Sequence, residues 1–347
     1  MHKLLPTLDV ASQTNRSPHV VILGAGASIA SNSRNRELSG LDLPSMNNLP
    51  DIVGFREDIR KMAPDIHQKN FEDVYDHLCK IPKHSDQLRD IERKIYDFFS
   101  SMTLPDEPTI YDYLVLSLRP KDIIATFNWD PFLGQAFARN MDVVGYENMP
   151  RMAYLHGNVK IGICRTDIRK GWIANRCDAC GRPFEPTKLL YPVGDKDYET
   201  DLFIRSEWSS ITASLQEAYW VTVFGYSAPK TDVAARELLA SAWKANQTTD
   251  FGLIEVIDVA PPDEVKANWA EFTVRNNLRL IDDYFSSYLA MHPRRTCEAL
   301  AMATLQQRPW KDDPVPQNVT LEELQQAILK LVAEETGRLS GMPLAST

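Results

Sequence analysis

The stretch HVVILGAGAS, residues 19–28, decides how this chain folds. Its first five residues are mostly apolar and β-branched, without polar alternation, which is the pattern of a parallel strand buried on both faces. Gly24 and Gly26 follow at once, and a strand that runs through glycines into a helix can bring its backbone close to a phosphate. The same turn is also compatible with a tight connection that binds nothing, because Ile29 stands where a dinucleotide-binding fingerprint has its third glycine.

Four further apolar runs lie downstream and predict the other strands of one sheet. They are DIIAT at residues 122–126, AYLH at 153–156, WVTVF at 220–224 and LIEVID at 253–258. Helical spacing separates several of them, and strands that alternate with helices form parallel sheets covered on both faces. The predicted fold is therefore a doubly wound, Rossmann-like α/β fold with a mostly parallel sheet.

Two stretches interrupt this alternation. Residues 51–119 show helical spacing without a strand run, which indicates an inserted helical unit; the helical segments are 51–62, 70–79 and 85–99. In residues 160–188, Gly, Cys, Arg and Asn replace the apolar periodicity, which indicates a second small insertion rather than sheet. We expect a large α/β domain over residues 17–290 that contains both insertions.

The remaining residues, 291–347, predict a C-terminal helical region. A Pro-rich linker at 312–316 precedes Thr320 and Glu323, which have the spacing of a helix capping box. Apolar residues then recur at helical spacing, at Leu321, Leu324, Ile328 and Leu331. This stripe can pack either on the chain's own core or on a neighbouring subunit.

Composition excludes several classes of protein. The 347 residues are 44% hydrophobic and 24% charged, close to globular averages. A net charge of -9 argues against direct binding of nucleic acid, which needs clustered cations. The polar N-terminal segment has no leader-like apolar core, and no run reaches the roughly 18 apolar residues of a membrane span, so we expect a cytoplasmic protein without membrane contact.

Polar side chains follow three of the predicted strands. Asn128 and Asp130 come in TFNWD, His156 in LHGN, and Ser227 in FGYS, which also contains Gly225. Open α/β sheets bind ligands at the carboxyl ends of their strands, and histidine can act as a general base near neutral pH. Simpler roles also fit, because Asn and Asp often cap helices and a single histidine or glycine turn is often structural.

The order of these motifs resembles that of the sirtuin superfamily. The family's motifs occur in the order GAG-x-S, Q-N-(I)-D, HG, zinc module, G-(T/Y)-S and VIN. This chain has, in the same order, GAGAS, TFNWD, LHGN, the cysteine-bearing insertion, FGYS and IEVID. The Asn-Asp and His-Gly pairs are the specific part of this resemblance. It implies an enzyme that binds NAD and breaks the bond between its ribose and nicotinamide.

Departures from the family pattern bear on the substrate. Protein-deacylating sirtuins carry a Gly-Ile-Pro-Asp-Phe-Arg segment and a Phe-Gly-Glu segment that helps line the acyl-lysine channel, where this chain has LPSMNNL at 43–49 and LLYPV at 189–193. These segments, with NFEDV at 70–74, resemble bacterial sirtuin-like proteins of antiviral defence that hydrolyse NAD. The resemblance thus implies an NAD glycohydrolase that depletes NAD during abortive infection. The alternatives are an NAD-dependent protein deacylase or ADP-ribosyltransferase, and a non-catalytic nucleotide-binding subunit.

The resemblance also implies roles for single residues. Asn128 would orient ribose and water, His156 would act as the base, and Asp130 would hold the nicotinamide amide. Gly24, Gly26 and Ser28 would hold the pyrophosphate, Ser227 and Asp258 would contact the adenosine, and Ala25 and Gly225 would complete the NAD-binding set.

The cysteines predict either a structural zinc site or a reduced, metal-free loop. Five cysteines with only one close pair do not form a secreted disulfide framework. Cys177 and Cys180 have the spacing of half a zinc site, Cys164 lies upstream, and Asp167 is the candidate fourth ligand. Any zinc here would lie outside the NAD site.

Regulation is expected because an unregulated NAD hydrolase would harm its own cell. The chain has no evident sensor domain, so we expect control by homo-oligomer formation or by an activating partner protein of a defence system. The helical insertion and the C-terminal stripe are the regions we expect to respond to such contacts.

Overall fold

The computed structural model describes residues 17–32, 43–193, 198–229, 232–246, 252–272, 278–305 and 307–339. Most of the polar N-terminal segment, on which the expectation of no leader rests, and the last eight residues of the C-terminal region lie outside the described residues.

Nine strands lie within the described residues. They are β1 His19–Leu23, β2 Ile123–Thr126, β3 Arg151–Tyr154, β4 Ile161–Cys164, β5 Arg169–Trp172, β6 Glu185–Pro186, β7 Trp220–Phe224, β8 Leu253–Ile257 and β9 Leu278–Ile281. Six of them form one parallel sheet in the order β3-β2-β1-β7-β8-β9. The chain winds outward from β1 in one direction and then from β7 in the other, so the topological switch point lies between β1 and β7. This confirms the predicted doubly wound, Rossmann-like sheet.

The predicted strands agree closely with the observed ones. HVVIL and WVTVF match residue for residue, while the third strand ends at Tyr154 and the fifth at Ile257, so that His156 and Asp258 lie beyond the strands. The edge strand β9 was not predicted. Its four residues are all half-buried, so its sequence lacks the continuous apolar run of an inner strand.

The helices of the described residues are α1 Ala25–Asn32, α2 Leu49–Ile52, α3 Arg56–Met62, α4 Phe71–Cys79, α5 Ser85–Ser100, α6 Ile110–Leu116, α7 Phe132–Val144, α8 Leu202–Glu217, α9 Val233–Lys244, α10 Pro262–Trp269, α11 Tyr288–Met291, α12 Thr296–Leu305 and α13 Leu321–Leu339. α8 packs across β1, β2 and β3. Five helices, α2 to α6, lie where the sequence predicts helical structure without strands. None of the described helices is long and apolar enough to cross a membrane.

The small insertion differs from its prediction in having a sheet of its own. β4 pairs antiparallel with β5 and with β6. The prediction of an insertion without sheet is wrong because β5 and β6 are short and largely exposed, so that they show no apolar run.

The C-terminal helix packs on its own chain. The capping box is present, with the Glu323 carboxylate accepting from the Thr320 backbone at 2.8 Å and the Glu323 backbone donating to the Thr320 hydroxyl at 3.2 Å. Leu324 and Ile328 are buried in the main core, and α13 packs against α7. Of the two predicted docking modes, the structure shows Leu324 and Ile328 packed on the chain's own core. A contact of this helix with a neighbouring subunit stays a prediction.

Candidate active site

The ends of the central strands bring the predicted site residues to one edge of the sheet. In the register of β2, Thr126 pairs with Leu23 of β1 and with Tyr154 of β3. Asn128 and His156 each come two residues after such a paired position. Adjacent parallel strands of equal register therefore place Asn128 and His156 side by side at the carboxyl edge.

Two glycine turns contact each other at the switch point. The Gly24 N–H donates to the Phe224 carbonyl and the Gly26 N–H to the Gly225 carbonyl, both at 3.0 Å. A Cβ at Gly26 would lie 2.7 Å from the Gly225 Cα, and Gly225 itself has a φ of +63°. These glycines are thus required for the packing of two loops, whether or not they also approach a phosphate.

Asn128 lies in a buried network that ties the first strand end to the second. Its Nδ2 donates to the Gly24 carbonyl at 2.8 Å, to the Ser28 hydroxyl at 2.9 Å and to the Tyr111 hydroxyl at 3.1 Å. Ser28 and Tyr111 are themselves 2.6 Å apart. The amide nitrogen of Asn128 faces this network, so its orientation is set by contacts far away in sequence and not by capping of the next helix.

Asp130 connects this network to the start of α7. One carboxylate oxygen accepts from the Ser28 hydroxyl at 2.6 Å, and the other accepts from the Phe132 N–H at 3.1 Å. Burial raises the pKa of Asp130 from 3.8 to about 6. Asp130 therefore accepts from the first N–H of α7, although the cap position itself is Pro131, which makes no side-chain hydrogen bond. Both oxygens of Asp130 are already hydrogen-bonded within the protein.

His156 is held by a tyrosine and an aspartate. Its Nε2 lies 3.1 Å from the Tyr198 hydroxyl and 3.8 Å from an oxygen of Asp232, and Tyr198 donates to the other oxygen of Asp232 at 3.0 Å. His156, Tyr198 and Asp232 are all buried. A histidine linked to a carboxylate in this way is typical of a positioned general base.

Phe127 forms an apolar wall between the two halves of the site. Its ring stacks on Tyr226 at 4.1 Å and meets the His156 ring edge-on at 4.8 Å. Trp208 lies on a further side, with ring centroids 6.0 Å apart. These contacts restrict rotation of the imidazole.

The segment LLYPV lies against His156. The Leu190 N–H donates to the His156 carbonyl at 2.9 Å, and Leu189 and Leu190 are buried. Tyr191 stacks on Tyr75 of α4 at 5.2 Å and donates to the Glu92 carbonyl of α5 at 3.1 Å. This segment therefore joins His156 to the helical insertion.

The predicted adenosine contacts lie on the far side of the switch point. Ser227 is exposed after β7, while Asp258 is half-buried after β8 and accepts from the Ala260 N–H at 2.9 Å. They share the carboxyl edge of the sheet with Asn128 and His156.

Three residues of the site escaped sequence reasoning. Tyr111 lies in a buried helix that has the pattern of ordinary core, and Tyr198 lies in a polar stretch without periodicity. Asp232 lies beyond the FGYS turn, where no motif singles it out. No local signal identifies these residues, because only the fold brings them to Asn128 and His156.

The cysteine cluster forms as predicted. Its ligand atoms all lie within 4.8 Å of one another and belong to Cys164, Asp167, Cys177 and Cys180. The Cys164 and Cys180 sulfurs are 3.4 Å apart, and the Cys177 sulfur is 3.3 Å from an oxygen of Asp167. Three thiols and a carboxylate at these distances could hold a metal ion, and this donor set fits zinc.

No protein-family model matches the chain, and no curated protein matches it. Among solved structures, similarity extends to a Sir2 homologue in complex with NAD, at 13% identity and a TM-score of 0.40, covering 96% of this chain and 97% of that one. A complex of Sir2 with p53 peptide and NAD+ is 14% identical, with a TM-score of 0.36 and coverage of 87% and 99%. Sir2 bound to acetylated peptide is 13% identical, with a TM-score of 0.34 and the same coverage of 87% and 99%.

Proposed function

We propose that this chain is a sirtuin-like NAD glycohydrolase, which cleaves NAD to nicotinamide and ADP-ribose. The observation that carries the proposal is the pairing of an oriented amide, Asn128, with a positioned histidine, His156, at the carboxyl edge of the sheet and beside its switch point. Dinucleotides bind across this crevice in doubly wound folds of this strand order.

Few catalytic groups are needed for this reaction, because the nicotinamide of NAD is a cationic leaving group. The bond between the ribose C1′ and the pyridinium nitrogen breaks, its electron pair goes to nicotinamide, and water adds to C1′. Asn128 presents its amide nitrogen to the buried network, which leaves its oxygen to orient water or a ribose hydroxyl. His156 accepts the proton that the reaction releases.

The other residues of the NAD site are assigned from their position at the same carboxyl edge of the sheet. The start of α1, with Gly24, Ala25, Gly26 and Ser28, would face the pyrophosphate, because helix N-termini favour anions. Gly225, Ser227 and Asp258 would lie toward the adenosine. Each carboxylate oxygen of Asp130 accepts one internal hydrogen bond and has a second lone pair. Asp130 would use such a lone pair to accept from the nicotinamide amide.

Packing of the LLYPV segment favours hydrolysis over deacylation. Leu189 and Leu190 are buried against the His156 backbone. They belong to the LLYPV segment, which stands where deacylating sirtuins carry the Phe-Gly-Glu segment that helps line the acyl-lysine channel. An acyl-lysine channel there would require this segment to move away from His156. Water needs no such channel.

The test is incubation of the purified chain with NAD, alone and with products of neighbouring genes, while nicotinamide, ADP-ribose and cyclic ADP-ribose are quantified. A second arm adds an acetylated peptide and measures its deacetylation. Nicotinamide and ADP-ribose in equal amounts, independent of the peptide, are expected. Release of nicotinamide only with the peptide would favour the deacylase.

Two substitutions connect the activity to the site. Asn128→Ala and His156→Ala should each abolish NAD cleavage, because one removes the orienting amide and the other the base. The matched control is His77→Ala, which changes an exposed histidine on α4. Wild-type turnover in either site variant would contradict the assignment.

The proposed biological role is depletion of NAD in antiviral defence, with activity controlled by self-association or by an activating partner. Tyr191 joins the helical insertion to the segment on His156, so a contact that shifts α5 would reach the base. Light scattering and turnover measured against protein concentration test this control. A monomer with full, concentration-independent turnover and no response to a partner would contradict it.

The metal of the cysteine cluster is proposed to be a structural zinc. Its ligands come from β4 and from the loops around β5, which are too small to form a sizeable core, so a bound ion would stabilise this unit. The zinc would hold these strands and take no part in NAD cleavage.

A further inference from the structure

We infer that Tyr198 and Asp232 are positioning residues that hold His156 in its Nε2–H tautomer, so that Nδ1 is the basic nitrogen. The inference rests on the proposed function only for its effect on catalysis. The tautomer itself follows from the hydrogen bonds around the ring.

The direction of each hydrogen bond follows from counting protons. Burial and the neighbouring Asp232 hold the pKa of Tyr198 well above its usual range, so its hydroxyl keeps its single proton. That proton is donated to Asp232 at 3.0 Å. The bond of 3.1 Å between Nε2 of His156 and the Tyr198 hydroxyl then needs its proton from the imidazole.

The second oxygen of Asp232 favours the same arrangement. It lies 3.8 Å from Nε2 of His156, so a proton on Nε2 points toward negative charge, whereas a lone pair there would face it. Protonation at Nε2 leaves the lone pair of the neutral ring on Nδ1.

Asp232 has the position of a helix cap but not its function. It is the residue before α9, yet among the described residues its side chain makes no capping hydrogen bond. Its carboxylate accepts from Tyr198 instead. An N-cap carboxylate that binds Tyr198, and not the N–H groups of its own helix, is consistent with a role toward His156.

The ring cannot easily turn to exchange its two nitrogens. Phe127 contacts the imidazole edge-on at 4.8 Å, and the backbone of His156 is fixed by the Leu190 N–H at 2.9 Å. The tautomer therefore decides which nitrogen is basic in a ring of fixed orientation.

The test uses two-bond proton–nitrogen NMR of the full chain with ¹⁵N-labelled histidine at pH 8.5, where a neutral imidazole shows which nitrogen carries the proton. The His156 signals are identified by their absence in His156→Gln. Asp232→Asn keeps the shape of the side chain but gives it an amide donor, which can donate to Tyr198 and turn the tyrosine proton toward Nε2. Tyr198→Phe removes the bridging hydroxyl, and Tyr284→Phe, a buried tyrosine outside the site, is the control.

The expected result is the Nε2–H tautomer in the wild type and in Tyr284→Phe, and a shift toward the Nδ1–H tautomer in Asp232→Asn. NAD cleavage by Asp232→Asn should fall by about 100-fold or more in kcat/KM with an unchanged melting temperature. An Nδ1–H wild type, or a tautomer that Asp232→Asn leaves unchanged, would overturn the inference. The NMR result does not depend on turnover, so loss of the proposed function and loss of this inference are separate outcomes.

Discussion

Gly24 and Gly225 approach so closely that a Cβ on Gly24 would lie 2.5 Å from the Gly225 carbonyl oxygen. The two residues directly follow neighbouring strands and are 201 positions apart in sequence, and their turns meet where the sheet reverses its winding. The contact joins the two halves of the fold at the proposed NAD crevice.

Gly24→Ala should therefore destabilise the protein by about 3 kcal/mol, because the new methyl group would meet backbone atoms that cannot move aside. Gly54→Ala is the matched control: its φ is +83°, but its Cβ would meet nothing within 4 Å. We expect the control to lose about 1 kcal/mol from its backbone conformation alone. Equal losses in urea unfolding of the two variants would contradict this explanation.

Tyr111→Phe should weaken catalysis without preventing NAD binding. The hydroxyl of Tyr111 contacts both Ser28 and Asn128, so its loss leaves the Asn128 amide less well oriented. We expect a stability loss of about 2 kcal/mol and a fall in kcat of about tenfold with little change in KM. Steady-state kinetics test this, and an effect on KM alone would show that Tyr111 acts in binding.

Asp130 should give the protein a characteristic dependence of stability on pH. Its pKa is raised by burial to about 6, so the folded state holds this proton more tightly than the unfolded state. The contribution of Asp130 to stability is therefore fully present below about pH 4, falls as the pH rises to about 6, and is level above.

The difference in unfolding free energy between Asp130→Asn and the wild type isolates this effect, because other titrating groups cancel. It should shift by on the order of 3 kcal/mol in favour of the variant between pH 4 and pH 7. A difference that is independent of pH would mean that Asp130 titrates normally in the folded protein.

Glu335→Ala should be far more harmful than Glu334→Ala, although the two residues are adjacent. Glu335 forms a two-pronged ion pair with the buried Arg294, at 2.9 and 3.0 Å, while Glu334 pairs at the surface with Arg295. Loss of Glu335 leaves a buried guanidinium without its carboxylate, at a cost of about 3 kcal/mol, against less than about 1 kcal/mol for the exposed pair. Thermal unfolding of both variants measures the difference.

The double substitution of Cys177→Ser and Cys180→Ser should remove the proposed zinc. Elemental analysis of protein purified without chelator should give one zinc per wild-type chain and none in the variant. Cys79→Ser, which changes an exposed cysteine outside the cluster, should keep the metal. A wild-type protein without metal would show that the cluster is a reduced loop.

The sequence alone determined where the inner strands of the sheet lie. Buried parallel strands need continuous apolar runs, and HVVIL and WVTVF carry that signal within five residues each, whatever surrounds them. The same local logic predicted Asn128 and His156 at strand ends and the four members of the cysteine cluster from their spacing.

Only the tertiary structure decided which side chains act on those residues. Tyr111 reaches Asn128 across 17 positions, while Tyr198 and Asp232 reach His156 from 42 and 76 positions away, on elements whose sequences resemble ordinary core or loop. It also decided that Leu324 and Ile328 pack on the chain itself, since an apolar stripe carries no information about its partner. Periodicity is a property of residues that are neighbours in sequence. The orientation of a catalytic side chain depends on contacts that exist only after the sheet and its helices have packed together.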